Sequence, residues 1–322
     1  MQEPCTLPLD FGGEQAARDL VSGQEPLYST SLGCAYCADS LEIMRGIPDE
    51  SVNLVFTSPP YALHFKKEYG NADKADYVEW FLPFAREIKR IIRNDGSFVL
   101  NIGGSWNSGH PTRSIYQYKL LIALVEELGF QLAQDCYWYN PAKMPAPAEW
   151  VTVRRIRVKD AVEHVWWFSR TEWPKADNRK VLRPYSKDMI RLAKRGVKNT
   201  VRPSGYNIKD SFTAIASGGS IPPNVIDDET PSELLKFGNN ASNDSYTKRC
   251  KEVGVKIHPA RFPAMLPEFF INFLTDEGDL VLDPFAGSNT TGKVSEDLGR
   301  RWIAVERIET YLEASKFRFG MA

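Results

Sequence analysis

Apolar residues recur along this chain in two rhythms: short runs that stop at glycine, proline or an acid, and longer stretches spaced by three and four. Val52 to Phe56 is a run of the first kind, and it ends at Thr57-Ser58-Pro59-Pro60-Tyr61. Residues 76–92 are of the second kind, with Tyr77, Trp80, Phe81, Phe84, Ile88, Ile91 and Ile92 at helical spacing. The turn residues Asn94-Asp95-Gly96 follow, and Ser97 to Ile102 predicts a buried strand running into Gly103-Gly104. A second helix is expected over Ile115 to Leu128, stopped by Gly129. Phe130 to Tyr139 reads as extended until Asn140-Pro141 breaks it, and Val162 to Phe168 as an aromatic strand. Upstream, Asp39-Ser40 ahead of Leu41, Ile43, Met44 and Ile47 predicts a short capped helix.

The pattern lapses between about Lys175 and residue 257 and returns after His258-Pro259. Phe269, Phe270, Phe273 and Leu274 share a helical face. Asp279 to Asp283 predicts a strand, Pro284-Phe285-Ala286-Gly287-Ser288 a tight turn, Asn289 or Thr290 to Leu298 a helix, and Arg301 to Glu306 a strand ending in an acid. Strands alternating with helices imply an α/β fold whose mostly parallel sheet is covered on both faces. The expected organisation is a loosely held lead-in over residues 1–26, a first half over 27–174, an insertion over 175–257 and a second half over 258–322.

Charge changes the picture only locally. The 322 residues carry a formal net charge of −1, which gives no global pull toward nucleic acid or acidic membranes. Between Lys175 and Asp210, however, eleven Lys and Arg face three Asp, so an anionic partner would meet the insertion. Five cysteines, Cys5, Cys34, Cys37, Cys136 and Cys250, are an odd number in a chain of this size and do not form a disulfide framework. Cys34 and Cys37 have CxxC spacing, but no second close pair completes a zinc site, so no metal is expected. Without a long apolar run or a leader-like N-terminus, a cytoplasmic protein is expected.

Two stretches carry chemistry. Tandem prolines fix two φ angles and remove two donors, so residues 57–61 form a stiff turn offering the Ser58 hydroxyl, backbone carbonyls and the Tyr61 ring. Such a turn suits a flat ring bearing an amino group; it is equally a proline-punctuated strand end. The second stretch is the βαβ pattern around Asp283 to Ser288. Its terminal acid, Glu306, lies about 20 residues beyond the turn, the offset that suits ribose hydroxyls. Only Gly287 is glycine where a dinucleotide fingerprint has three, so a cofactor without a diphosphate is favoured: S-adenosyl-L-methionine over NAD.

Together these stretches resemble the amino-methyltransferases of DNA. Thr57-Ser58-Pro59-Pro60-Tyr61 resembles their motif IV, Asp283-Pro284-Phe285-Ala286-Gly287-Ser288 their motif I, and His258-Pro259-Ala260-Arg261-Phe262-Pro263 their motif X. The order, catalytic motif first and cofactor motifs last, is that of the β group. The resemblance runs from about Tyr28 to Phe319 and includes Lys67-Glu68-Tyr69-Gly70-Asn71 and Arg202-Pro203-Ser204-Gly205. It implies a Rossmann-like, S-adenosylmethionine-dependent methyltransferase fold, circularly permuted, in which 27–174 is the catalytic half, 175–257 the target-recognition region and 258–322 the cofactor half.

The resemblance also implies roles. Ser58 and the Pro59 carbonyl would accept from the amino group of a flipped base, Pro60 would stiffen the turn, and Tyr61 would stack on the ring, with Trp138-Tyr139-Asn140-Pro141 beside it. Asp283, Pro284, Phe285, Ala286, Gly287 and Ser288 would hold the cofactor's methionine and ribose side, and Glu306 the ribose hydroxyls. Asp39 would bond the adenine amino group, with Phe262 and Pro263 packing nearby; Asp39 is equally the helix cap. Serine at position 58, where adenine enzymes more often carry Asp or Asn, points to N4 of cytosine. Asn101 stands where a second carboxylate would assist proton loss. Arg183, Arg191, Arg195 and Arg202 are the candidate contacts to duplex DNA, and the implied target is CAGCTG, modified on its central cytosine. A monomer or homodimer working alongside a restriction endonuclease follows from the same resemblance. An adenine-N6 enzyme and a catalytically dead DNA-binding relative are the alternatives.

Overall fold

The computed structural model describes residues 16–62, 73–195, 218–227, 230 and 245–321. Their strands form one nine-stranded sheet. In chain order these are β1 (Tyr28–Ser29), β2 (Gly33–Cys37), β3 (Val52–Thr57), β4 (Ile92–Ile102), β5 (Gln131–Tyr139), β6 (Val162–Ser169), β7 (Val225–Ile226), β8 (Leu280–Asp283) and β9 (Arg301–Glu306). Across the sheet they run β1-β2-β9-β8-β3-β4-β6-β5-β7. From β2 through β4 every pairing is parallel; β6 runs antiparallel to both β4 and β5. The helices are α1 (Ser40–Gly46), α2 (Tyr77–Ile91), α3 (Tyr116–Glu126), α4 (Lys187–Arg195), α5 (Ser245–Val253), α6 (Met265–Leu274), α7 (Thr290–Asp297) and α8 (Glu309–Ser315). No helix among the described residues is long and apolar enough to cross a membrane.

Both faces of the sheet are covered, which explains why the strands are apolar at consecutive positions. Val55, Phe98, Leu100, Trp166, Phe168 and Leu282 pack with α1, α2 and α3 in one core. Their alternates Leu54, Phe56, Val99, Val165, Trp167 and Val281 pack with α6 and α7 in another. The short helix α1 is held from outside. Arg90, near the end of α2, donates to the Met44 and Ile47 carbonyls at 2.7 and 2.9 Å, satisfying acceptors that a helix end leaves open.

Two details depart from expectation. The turn at Asn94-Asp95-Gly96 does not end an element, because β4 continues through it. Instead the register against β3 jumps from Val52↔Ile92 to Leu54↔Ser97, so the turn is an excursion inside one strand. Glycine is required there: a Cβ on Gly96 would lie 2.9 Å from the Arg93 nitrogen and 3.1 Å from the Val52 carbonyl. The insertion is also woven into the core through its later part. β7 pairs with β5, and Tyr246 and Cys250 of α5 pack with Ala314 of α8. Earlier in it, α4 buries no residue at all.

Candidate active site

Neighbouring parallel strands deliver the two chemical stretches to one place. β3 and β8 pair through Leu54↔Val281 and Val55↔Leu282, so Ser58 and Pro284 leave adjacent carboxyl ends, where ligands of open α/β sheets bind. A cavity of about 600 Å³ lies there, of a size that suits a small-molecule site. Ser58, Pro59, Pro60, Tyr61, Asn101, Trp138, Asn140 and Glu163 line it together with Asp39, Trp80, Phe84, His258, Phe262, Pro284 to Ser288, Thr290 and Glu306.

The proline turn is fixed from several sides. Tyr77 donates to the Pro60 carbonyl at 2.9 Å, so this acceptor, open on sequence grounds, is paired. The Tyr61 ring lies against Gly103, where a Cβ would come within 2.5 Å of it. Its hydroxyl donates to Glu163 Oε2 at 2.8 Å and sits 3.1 Å from the Ser58 hydroxyl. Burial, reinforced by the Glu163 charge, pushes the Tyr61 phenol well above its usual range, so it stays protonated. Lys143 holds the other oxygen of Glu163 at 3.0 Å. Asn101 reaches toward Ser58 Oγ at 3.5 Å through Nδ2, while its buried Oδ1 has no hydrogen-bond partner.

On the other stretch, Glu306 Oε2 accepts from the Gly287 amide at 3.0 Å and Oε1 from the Ile308 amide at 2.8 Å. Burial pushes its carboxyl up, against the pull of these amides. Gly287 has φ +54°, and a Cβ there would meet the His258 ring at 3.0 Å, so both conformation and space call for glycine. His258 is half-buried with its ring packed against Tyr311, and desolvation brings its pKa down to about 4; it is neutral at physiological pH. Asp39 caps α1 by accepting from Leu41 N at 2.8 Å and also faces the cavity, so both roles raised from sequence remain compatible.

Two candidates, Asp283 and Arg183, sit elsewhere than expected. Asp283 does not line the cavity. It is buried behind the wall, where Thr57 and Thr291 donate to its two oxygens at 2.7 Å and Phe285 N adds a bond at 3.1 Å. Burial outweighs these donors and raises its pKa to about 6. Pro263, expected to pack nearby, follows the cavity-lining Phe262 just outside the wall. Arg183 faces inward: its side chain is 13% exposed, pairs with Asp227 at 2.7 Å and donates to the Val225 carbonyl at 3.1 Å and Thr230 at 3.0 Å. It braces the insertion around β7. Arg191 and Arg195 are exposed on α4, whereas Arg202 and the segments around Lys67 to Asn71 and Pro203 to Gly205 lie outside the described residues. Cys34 is buried and Cys37 exposed, both as free thiols.

The site also contains groups that pattern reading passes over. Nothing in the sequence singles out Lys143, and the only local signal for Glu163 is an acid within an otherwise aromatic strand. Trp80 and Phe84 fit the apolar stripe of α2, yet they also line the cavity.

With this geometry in place, similarity to known proteins is informative. The Type II methyltransferase M.PvuII of Proteus hauseri is 52% identical over 300 residues, 92% of this chain and 86% of that protein. A solved PvuII DNA methyltransferase, described as cytosine-N4-specific, superposes with a TM-score of 0.72 at 46% identity, covering 92% of this chain and 89% of the other. A protein from Thermus thermophilus, solved in complex with S-adenosyl-L-methionine, shares the fold at 20% identity and a TM-score of 0.52, covering 89% of this chain and 94% of its own. The family model described as DNA methylase matches residues 52–317, from the start of β3 to just beyond α8, and by this measure the chain belongs to the N6/N4 DNA methylase family.

Proposed function

We propose that this protein, an S-adenosylmethionine-dependent DNA methyltransferase, methylates N4 of a cytosine within a specific duplex site as the modification half of a restriction-modification pair. One observation carries the reading. The Ser58–Tyr61 turn and the Pro284–Ser288 turn with Glu306 line a single cavity, in a chain 52% identical to M.PvuII.

The residues present fit the cofactor. Glu306 would accept from ribose hydroxyls while its amide bonds hold it in place, and Asp39 would take the adenine amino group. Trp80, Phe84 and Phe285 offer apolar walls, and neutral His258 sets no cation against a sulfonium. When bound, the cofactor supplies an electrophilic methyl group.

For the base, the chain's task is orientation and charge placement. The exocyclic nitrogen is poorly nucleophilic because its lone pair is delocalised into the ring. Hydrogen bonds from the NH₂ to Ser58 Oγ and the Pro59 carbonyl would localise that pair and aim it. Tyr61, Trp138 and Asn140 would receive the base, which must leave the duplex at a cost of roughly a few kcal/mol. Exposed Arg191 and Arg195, with Arg202, would meet phosphates, and residues 175–257 would select the target. Similarity to M.PvuII supports CAGCTG as that target and an endonuclease cutting the same site as the biological counterpart.

The test is direct. Purified protein, tritiated S-adenosylmethionine and a duplex carrying CAGCTG should give N4-methylcytosine on nucleoside analysis, and Ser58→Ala should lower the rate by about 10²-fold or more. Recovery of N6-methyladenine alone would overturn the assignment of the base. Methylation of duplexes lacking CAGCTG at equal rates would overturn the target.

A further inference from the structure

Where a carboxylate would be expected to help Ser58, this chain has Asn101, an amide that accepts no proton. Yet the cavity does hold a carboxylate connected to Ser58. Among the described residues that line it, the acids are Asp39, Glu163 and Glu306. Asp39 is engaged in capping α1, and Glu306 in holding the Gly287 turn. Glu163 is joined to Ser58 by a continuous chain: Ser58 Oγ to Tyr61 Oη at 3.1 Å, then Tyr61 Oη to Glu163 Oε2 at 2.8 Å.

We propose that Glu163 is the terminal proton acceptor of a Ser58–Tyr61–Glu163 relay, with Lys143 as the positioning residue that holds it. This rests on the amino-methylation reading. As the N4 lone pair forms its bond to the methyl carbon, the carbon–sulfur bond breaks and sulfur keeps that electron pair, leaving a neutral thioether. The nitrogen now carries one proton too many. That proton passes to Ser58 Oγ, the Ser58 proton to Tyr61 Oη, and the Tyr61 proton to Glu163 Oε2. The base and both hydroxyls end neutral, and Glu163 ends as a carboxylic acid that returns its proton to solvent.

The surroundings suit this assignment. Lys143 binds Oε1 and leaves Oε2 turned to Tyr61. Tyr61 is kept from ionising on its own by burial, so it conducts a proton only as it receives one. Gly103 provides the space in which the Tyr61 ring lies with its hydroxyl between the two partners. Among the described residues, Tyr61 from the loop after β3 and Lys143 from the loop after β5 bond Glu163, and Tyr116 of α3 feels its charge. Arg113 stands beside Tyr116 and is bound to Asp160. Glu163 acts on the base through two hydroxyls, which makes it a positioning and proton-accepting group that does not itself touch the substrate.

The deciding comparison is wild type, Glu163→Gln and Tyr61→Phe under single-turnover conditions with cofactor and duplex saturating. Expected are rates about 10²-fold lower in both variants, with cofactor and duplex Kd unchanged. A readout independent of turnover is the infrared carboxylate band of ¹³C-glutamate-labelled protein. It should show one ionised carboxylate that Glu163→Gln removes and Tyr61→Phe shifts. Thermal melting identifies a variant that has not folded, in which case the Tyr61→Phe kinetics and band shift decide. A wild-type rate in Glu163→Gln, or an unshifted carboxylate band in Tyr61→Phe, would overturn the relay. Failure of the wild type to form N4-methylcytosine would instead overturn the reading beneath it.

Discussion

At Gly103 one added methyl group would sit 2.5 Å from the Tyr61 ring, closer than carbon atoms approach. The Tyr116 hydroxyl also donates to the Gly103 carbonyl, so the backbone there cannot easily retreat. The ring must therefore yield, and with it the hydroxyl between Ser58 and Glu163. Gly103→Ala should cut methyl transfer by about 10²-fold, as small misplacements of reacting groups do, with little change in cofactor affinity. Single-turnover rates beside calorimetric cofactor titration check both halves. The complementary case is Glu306→Gln. An amide has one oxygen where the carboxylate has two, so it cannot hold both backbone amides and ribose hydroxyls. Cofactor Kd should rise about tenfold, equivalent to one hydrogen bond of about 1.4 kcal/mol. At this scale, Ser58 and Glu306 are legible in the sequence because each closes a strand in a recognisable local motif. Glu163 is not, because its partner Tyr61 is 102 positions away and only the sheet brings them together.

Elements are the most legible level. The apolar spacing predicts a helix over 76–92, and α2 spans Tyr77–Ile91 despite Pro83 within it, since its apolar face is buried against the sheet. β9 falls on its expected residues because an apolar run with an acid at its end has no competing reading. What escapes is pairing: the register jump in β4 depends on how the strand meets Val52, which local pattern does not encode. Asp283 shows the same limit. An acid in a cofactor motif invites a ligand role, but here it ties Thr57 at the end of β3 to Thr291 in α7. Its pKa rises from 3.8 to about 6 on folding. Between those values the unfolded chain releases a proton that the folded protein keeps, so stability attributable to Asp283 is present below pH 3.8 and declines as pH rises through 6. Against Asp283→Asn, which has no such titration, wild type should lose about 3 kcal/mol across this window. Urea unfolding of both proteins at several pH values measures the difference.

Over the whole molecule, near-neutral net charge means that affinity for a polyanion must come from where the charges sit. The basic insertion is legible as a place, but not which of its arginines face outward. Arg183 is committed to Asp227, Val225 and Thr230, bracing the segment that supplies β7 to the sheet edge. Arg191 and Arg195 project from α4, a helix with no buried residue and therefore no role in the core. Exchanging arginine for alanine at these positions should separate the two uses. Arg183→Ala strands Asp227 half-buried and should cost on the order of 2 kcal/mol of stability, a drop of several degrees in Tm. Its salt dependence of duplex binding should stay as in the wild type. The double variant Arg191→Ala with Arg195→Ala should melt like the wild type but bind more weakly. Each lost phosphate contact removes about 0.9 from the slope of log K against log salt, so the slope should become shallower by roughly 2. Fluorescence anisotropy on a labelled duplex across a salt series reads that slope. An unchanged slope in the double variant would move the phosphate contacts off α4, whereas a shallower slope in Arg183→Ala would return that residue to the DNA interface.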